Sequence, residues 1–189
     1  MILEMYQQDW ASQYLDFYLG KIEDDIRYFE EEYLPKIGEP RRSGRFLDLG
    51  CGAGASLMAA RRAGWEVYGV EVGEWARSLA QQHGLNVFVG TLEEAAFPDG
   101  YFDVVFCKSV LEHLYHPRRT LREIHRVLKE GGLLVCVGIP NWDSFAIKVG
   151  IEQFVGNAPP EHLYYFQEKT IKRMLEEVGF TCEEIISGG

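Results

Sequence analysis

The stretch RFLDLGCGAGAS (residues 45–56) sets Gly50, Gly52 and Gly54 at alternate positions, directly after an apolar run that reads as a strand. A loop that lacks Cβ atoms can turn tightly and bring backbone N–H groups close to a ligand. A helix opening just beyond it offers its positive end to a carboxylate or phosphate. About twenty residues on, Glu71 closes a second apolar run, EVYGVEV. A carboxylate at that point can accept two hydrogen bonds from a ribose diol. These residues together point to a nucleoside-containing cofactor, with a purely structural tight turn as the plain alternative.

The glycines alone leave the cofactor open. GCGAGA can be fitted to G-x-G-x-x-[GA], the fingerprint of an NAD-dependent Rossmann oxidoreductase. Asp48, however, lies inside the strand two residues before the first glycine, where that fingerprint asks for no acid. Gly54 as the third glycine suits a loop around a small zwitterion better than one around a pyrophosphate.

The elements that must position these groups follow from hydrophobic periodicity. Residues 8–34 read as a helix, with Trp10, Tyr14, Phe17 and Tyr18, then Ile22, Ile26, Phe29 and Tyr33, at helical spacing. Pro35, Gly38 and Pro40 end it, and EPRRSG is a linker. Beyond it, RFLDLG, EVYGVEV, NVFVG, FDVVFCKSV and GGLLVCVGIP read as strands, and FTCEEIISGG as a sixth. Helices are expected at 54–63, 74–83, 117–128 and 168–178. The third opens on Pro117 and carries Leu121, Ile124, Val127 and Leu128 in one stripe. Continuous apolar strands alternating with helices imply a doubly wound, Rossmann-like α/β sandwich, mostly parallel and covered on both faces. The division expected is an N-terminal helical lid or cap over 1–42 and a cofactor-binding domain over 43–189, forming one compact unit.

The net charge of −10 disfavours nucleic acid as a partner, because phosphate binding draws on Lys and Arg. No apolar stretch approaches the ~20 residues of a membrane span, and the first residues do not form a signal peptide. Cys51, Cys107, Cys136 and Cys182 form no C-x-x-C pair, so free thiols in a reducing cytoplasm are expected, with neither a disulfide framework nor a metal site.

From FLDLGCGAG through FPDGYFDVVFCKSVLEHLYHPRRTLREIHRVLKEGGLLVCVGIPN to PPEHLYYFQEKTIKRMLEEVGF, roughly residues 43–180, the chain resembles the class I S-adenosylmethionine-dependent methyltransferases. The similarity is greatest to the small-molecule group of the ubiquinone/menaquinone-biosynthesis type. The resemblance implies S-adenosyl-L-methionine as cofactor and S-adenosyl-L-homocysteine as product. It implies that Gly50, Cys51, Gly52 and Gly54 hold the methionine part through the loop backbone, with Asp48 near its ammonium group. Glu71 would bind the ribose hydroxyls and Val72 would pack on adenine, with GTLEEAAF closing over the ring. Relatives often carry Asp where this chain has Thr91, so Thr91, or the backbone at Leu92 and Glu93, would meet the adenine amino group. Lys108 would face the methionine end through its carbonyl.

The reaction implied is in-line methyl transfer to a small molecule, with oxygen favoured over nitrogen or carbon as acceptor atom. A cofactor-binding but inactive relative and the NAD-dependent oxidoreductase are the alternatives. His113 and His162 are the candidate catalytic bases, each with a structural role as the alternative. Asn141, Trp142 and Tyr165 are candidate substrate-binding residues at the end of the fifth strand and beyond. In relatives an N-terminal helix lies over the cofactor, which would make Tyr6, Trp10, Tyr14 and Tyr18 part of a lid. Relatives also carry a seventh, antiparallel strand between the fifth and sixth. Its absence here suggests a shortened chain, or a second copy of the chain, as in a homodimer, covering the exposed sheet edge.

Overall fold

The computed structural model describes residues 10–40, 44–143 and 162–186, with side chains from residue 20 onward. Helix α1 (Trp10–Glu32) is followed by a short α2 (Leu34–Ile37), the break falling at Tyr33 just ahead of Pro35. Strands β1 (Arg45–Leu49), β2 (Glu66–Glu71), β3 (Val87–Val89), β4 (Phe102–Lys108) and β5 (Leu128–Val137) alternate with helices α3 (Ala55–Arg62), α4 (Trp75–His83), α5 (Leu92–Ala95) and α6 (Pro117–Val127). A 3-10 turn, Leu111–His113, follows β4, and α7 (Glu168–Val178) is the last described helix.

The five strands form one parallel sheet in the order β3-β2-β1-β4-β5. The chain builds outward from β1 to β3 and then returns to lay β4 on the other side of β1. The order therefore reverses between β1 and β4, and a crevice at their carboxyl ends is the standard ligand position in such a sheet.

Alternate side chains of the central strands supply two cores. Leu47, Leu49, Phe102 and Val105 point to the face covered by Leu121, Ile124 and Val127 of α6 and Ile171 and Met174 of α7. Phe46, Val104 and Phe106 point to the opposite face, where Leu57 and Met58 of α3 join Ile26 and Phe29 of α1. The Phe29 ring stands edge-on to Phe106 at 5.0 Å and to Phe46 at 5.9 Å. The second half of α1 is thus built into the core as its apolar spacing predicts. Tyr6 lies outside the described residues, as do the side chains of Trp10, Tyr14 and Tyr18, on which the lid reading rests.

One expectation is corrected. Residues 181–186 of FTCEEIISGG form no strand, and 187–189 lie outside the described residues. A strand is stabilised by its ladder partner. Among the described residues this segment pairs with no strand, and the outer edge of β5 stays open. GTLEEAAF contains the short helix α5. Thr91 and Glu94 form a reciprocal capping box there, in which the Thr91 hydroxyl accepts the Glu94 N–H and Glu94 accepts the Thr91 N–H. No helix among the described residues is long and apolar enough to cross a membrane.

Phe29→Ala is expected to lower the unfolding free energy by about 3–5 kcal/mol. Urea denaturation would read this as a lower midpoint at unchanged slope. A loss below about 1 kcal/mol would show that α1 does not complete this core.

Candidate functional site

The glycine loop leaves β1 by a path that other residues cannot follow. Gly50 has φ of +75°, and a Cβ there would lie 2.6 Å from Val110 Cγ2, on the turn after β4. Gly52 has φ of +51°, but the nearest atom to a Cβ there is in the Trp75 ring at 3.9 Å, so its surface opens onto free space. One packs the loop against the acceptor side; the other leaves room above it.

Four of the loop's N–H groups are engaged within the protein. Those of Gly50 and Cys51 both bond Val70 O, at 2.8 and 3.2 Å, and that of Gly54 bonds Cys51 O at 2.8 Å. The Gly52 N–H donates to Glu71 Oε2 at 3.1 Å. The loop therefore contributes close approach and shape, while its donors hold it to β2. The Cys51 side chain is buried, its sulfur packed toward Gly69, so only its backbone reaches the site.

Glu71 accepts a second N–H, from Gly73 at 3.0 Å, through Oε1. Both carboxylate oxygens are thereby fixed at the end of β2, and each keeps a lone pair for a hydroxyl donor. Asp48 is 3% exposed. Its Oδ2 accepts the Ser56 hydroxyl, while Oδ1 is buried without a hydrogen-bond partner among the described residues. Burial pushes the Asp48 carboxyl up to about 7; the Ser56 hydrogen bond opposes this, Glu71 adds to it, and Lys108 opposes it. An acid held this way is short of one donor, and a cation supplies the best one. Ser56, which nothing in the spacing singled out, completes this arrangement from the first turn of α3.

The other expected cofactor residues divide. Val72 is half-buried next to Glu71. The Leu92 side chain is buried in the core, leaving only its backbone for contact, and the Thr91 hydroxyl is occupied as the cap of α5. Lys108 is exposed, with its ammonium 5.6 Å from the centroid of Tyr28.

The acceptor-side candidates are brought together from distant parts of the chain. The Glu112 carbonyl accepts the N–H groups of Leu163 and Tyr164, at 2.7 and 3.2 Å, and so ties residues 162–166 to the turn after β4. The rings of His113 and His162 stand 4.8 Å apart, His162 and Tyr165 6.0 Å, and Tyr165 and Trp142 5.6 Å. Asn141 pairs with Phe166, and its Oδ1 accepts the Asp143 N–H at 2.9 Å. Trp142 and Tyr165 also line an open depression of ≈ 480 Å³ with Leu163, Tyr164, Gln167 and Thr170. Glu112, 1% exposed, lies beneath the histidines, and burial raises its carboxyl above the ordinary range. The sequence signal for Glu112 was only its place before His113.

Residues 18–185 match the family model described as "Methyltransferase domain". An uncharacterized protein of Methanocaldococcus jannaschii is 30% identical over 158 residues, 84% of this chain and 74% of that one. The ubiquinone biosynthesis O-methyltransferase of Ruegeria pomeroyi is 39% identical over 112 residues, 56% of this chain and 45% of the enzyme, so the match spans less than half of that relative. Among solved structures, a SAM-dependent methyltransferase of Thermotoga maritima superposes with a TM-score of 0.63 at 27% identity, covering 90% of this chain and 78% of that one.

The folded Asp48 carboxyl titrates above its unfolded range, so from about pH 4 to about pH 7 the unfolded chain binds fewer protons than the fold. The unliganded fold loses stability as pH rises through that window. A bound ammonium favours the ionised form, so binding below the folded pKa requires a proton to leave. S-adenosylhomocysteine affinity, measured by calorimetry, is expected to rise about tenfold from about pH 6 to about pH 8 in the wild type. Asp48→Asn should bind weakly with a flat profile; an unchanged slope would remove Asp48 from the ammonium site.

Proposed function

The chain belongs to the class I S-adenosylmethionine-dependent methyltransferases, and from that premise we propose that it methylates a hydroxyl oxygen of a small, ring-containing acceptor. The residues around the loop fit the cofactor on their own chemistry: Asp48 Oδ1 lacks one donor, Glu71 is fixed for a diol, and Gly52 leaves space above the loop. When bound, S-adenosylmethionine supplies an electrophilic methyl carbon on a sulfonium.

The protein's task is then to hold and to align. Asp48, ionised, receives the ammonium of the amino-acid tail. The first turn of α3, whose N–H groups have no acceptor within the helix, is available to the tail carboxylate. Glu71 accepts the ribose hydroxyls, and Val72 with the backbone of Leu92 borders the adenine. Alignment of an acceptor behind the methyl carbon is worth on the order of 7–11 kcal/mol of barrier. The observation that carries the acceptor assignment is the row of rings His113, His162, Tyr165 and Trp142, which begins three residues from Val110, itself against Gly50. A planar acceptor can lie along this row with its hydroxyl at the histidines, where its proton is lost. The name of the Ruegeria relative, an O-methyltransferase, agrees with oxygen as the atom methylated.

The test is transfer from methyl-labelled S-adenosylmethionine to a pool of phenolic small molecules. Label in that pool is expected, with S-adenosylhomocysteine formed in equal amount. His162→Gln should lower kcat by about 10²-fold or more with cofactor affinity unchanged. Label found only in protein or nucleic acid would overturn the reading. In a thermal-shift comparison S-adenosylhomocysteine should raise the unfolding temperature and NAD(H) should not.

A further inference from the structure

Cys107 and Cys136 face each other across β4 and β5. They are direct register partners, and the Cys107 thiol donates to Cys136 Sγ at 3.2 Å. Both are free thiols on the face covered by α6 and α7, where Cys107 is buried and Cys136 half-buried. Neighbouring strands run about 4.7–4.9 Å apart, inside the Cα separation of about 4.4–6.8 Å that a disulfide spans. A bond of about 2.05 Å needs these sulfurs to close by roughly 1.2 Å, within reach of small χ1 rotations. The pair also sits directly below the crevice. Lys108 follows Cys107, the Ser109 N–H donates to Val137 O at 2.9 Å, and Val110 fills the space that a Cβ at Gly50 would need. Ser109 holds a φ of +53°, an uncommon conformation for a residue with a Cβ. A change in the spacing of β4 and β5 is thus passed to the glycine loop through one short turn.

We propose that Cys107 and Cys136 form a reversible intrachain disulfide, and that this bond lowers the affinity of the cofactor site. Cys136 reacts first. Cys107 is 1% exposed, and its hydrogen bond to Cys136, together with burial, pushes its thiol up and away from the reactive thiolate. The Cys136 thiolate attacks hydrogen peroxide: an S–O bond forms, the O–O bond breaks, and the departing oxygen leaves as water with the proton the thiol gave up. The Cys107 sulfur then attacks the Cys136 sulfur. The S–S bond forms, the S–O bond breaks, and the expelled hydroxide takes the Cys107 proton to leave as a second water. Two thiols thereby lose two electrons and two protons, and the peroxide gains them. A dithiol reverses the bond by exchange and is itself left as a disulfide. The affinity half of this proposal rests on the methyl-transfer reading; the bond-forming half does not.

The experiment treats the full chain with hydrogen peroxide and counts its thiols after denaturation, beside a reduced sample. Two of the four cysteines are expected to be lost, without a covalent dimer on a non-reducing gel. A digest of the oxidised chain should yield one linked peptide pair, carrying Cys107 and Cys136, and dithiothreitol should return all four thiols. S-adenosylhomocysteine affinity, read by calorimetry, should fall at least threefold in the oxidised chain and recover on reduction. Cys136→Ser should form no linked pair and keep its affinity in peroxide. Cys107→Ala is the second variant, and S-adenosylhomocysteine binding by each reduced variant establishes that its fold is intact.

The proposal is overturned if the digest holds no linked pair, or a pair other than Cys107 with Cys136. It is overturned equally if the cross-linked chain binds S-adenosylhomocysteine as tightly as the reduced one. A reduced wild type that binds no S-adenosylhomocysteine strikes the methyl-transfer reading instead, and the peptide map still decides the bond.

Discussion

A carboxylate buried in the middle of a parallel sheet, one of its oxygens unpaired among the described residues, is the constraint around which this molecule is arranged. Asp48 lies on β1 opposite Gly69 of β2 and Phe106 of β4, in the most deeply covered part of the fold. Leaving a buried charged acceptor short of a partner costs about 1–3 kcal/mol or more. The sheet tolerates it because β1 and β4 are packed on both faces by large apolar side chains. Gly69 belongs to the same arrangement: a Cβ there would lie 2.8 Å from Cys51 Sγ and from Leu57 Cδ1. The main chain beside Asp48 is therefore kept bare so that the loop can fold back over β2.

Glu71 solves the opposite problem. It receives N–H groups from Gly52 and Gly73, so one side chain fastens the loop after β1 and the loop after β2 at once. Four of the loop's backbone donors are already engaged, those of Gly50 and Cys51 with Val70 O, that of Gly52 with Glu71 and that of Gly54 with Cys51 O. The arrangement assigns opposite electrostatic roles to two acids close enough to influence each other: Asp48, pushed toward neutrality by burial, and Glu71, anchored by two amides.

The parts of this arrangement legible in the sequence were those that impose a local demand. Positive φ at Gly50 and Gly52 requires glycine, an acid must sit at the end of β2, and the stripe Leu121, Ile124, Val127 must face a core. Partners were less legible. Ser56 is one small residue among several in GAGAS, and only the fold places its hydroxyl on Asp48. Thr91 read as an adenine contact, yet its hydroxyl is more strongly claimed by the Glu94 N–H three residues away. FTCEEIISGG has a strand's composition, but strand formation depends on a neighbour, and periodicity within one segment carries no information about neighbours.

The arrangement of residues 140–142 and 163–166 around the turn after β4 was least legible for a reason that lies in its construction. Residues 140–142 and 163–166 are joined by two main-chain hydrogen bonds, Trp142 N–H to Phe166 O at 2.8 Å and Phe166 N–H to Pro140 O at 3.2 Å, and Leu163 N–H to Glu112 O at 2.7 Å ties the second segment to the turn after β4. Bonds of this kind depend little on which side chains the residues carry. A pocket hung on them can change its lining while the backbone that shapes it stays in place, which is how one fold comes to serve many acceptors. Glu112 is the exception, since its carbonyl holds the segment while its buried carboxyl lies beneath the two histidines. Main-chain scaffold and a buried acid thus meet in that one residue.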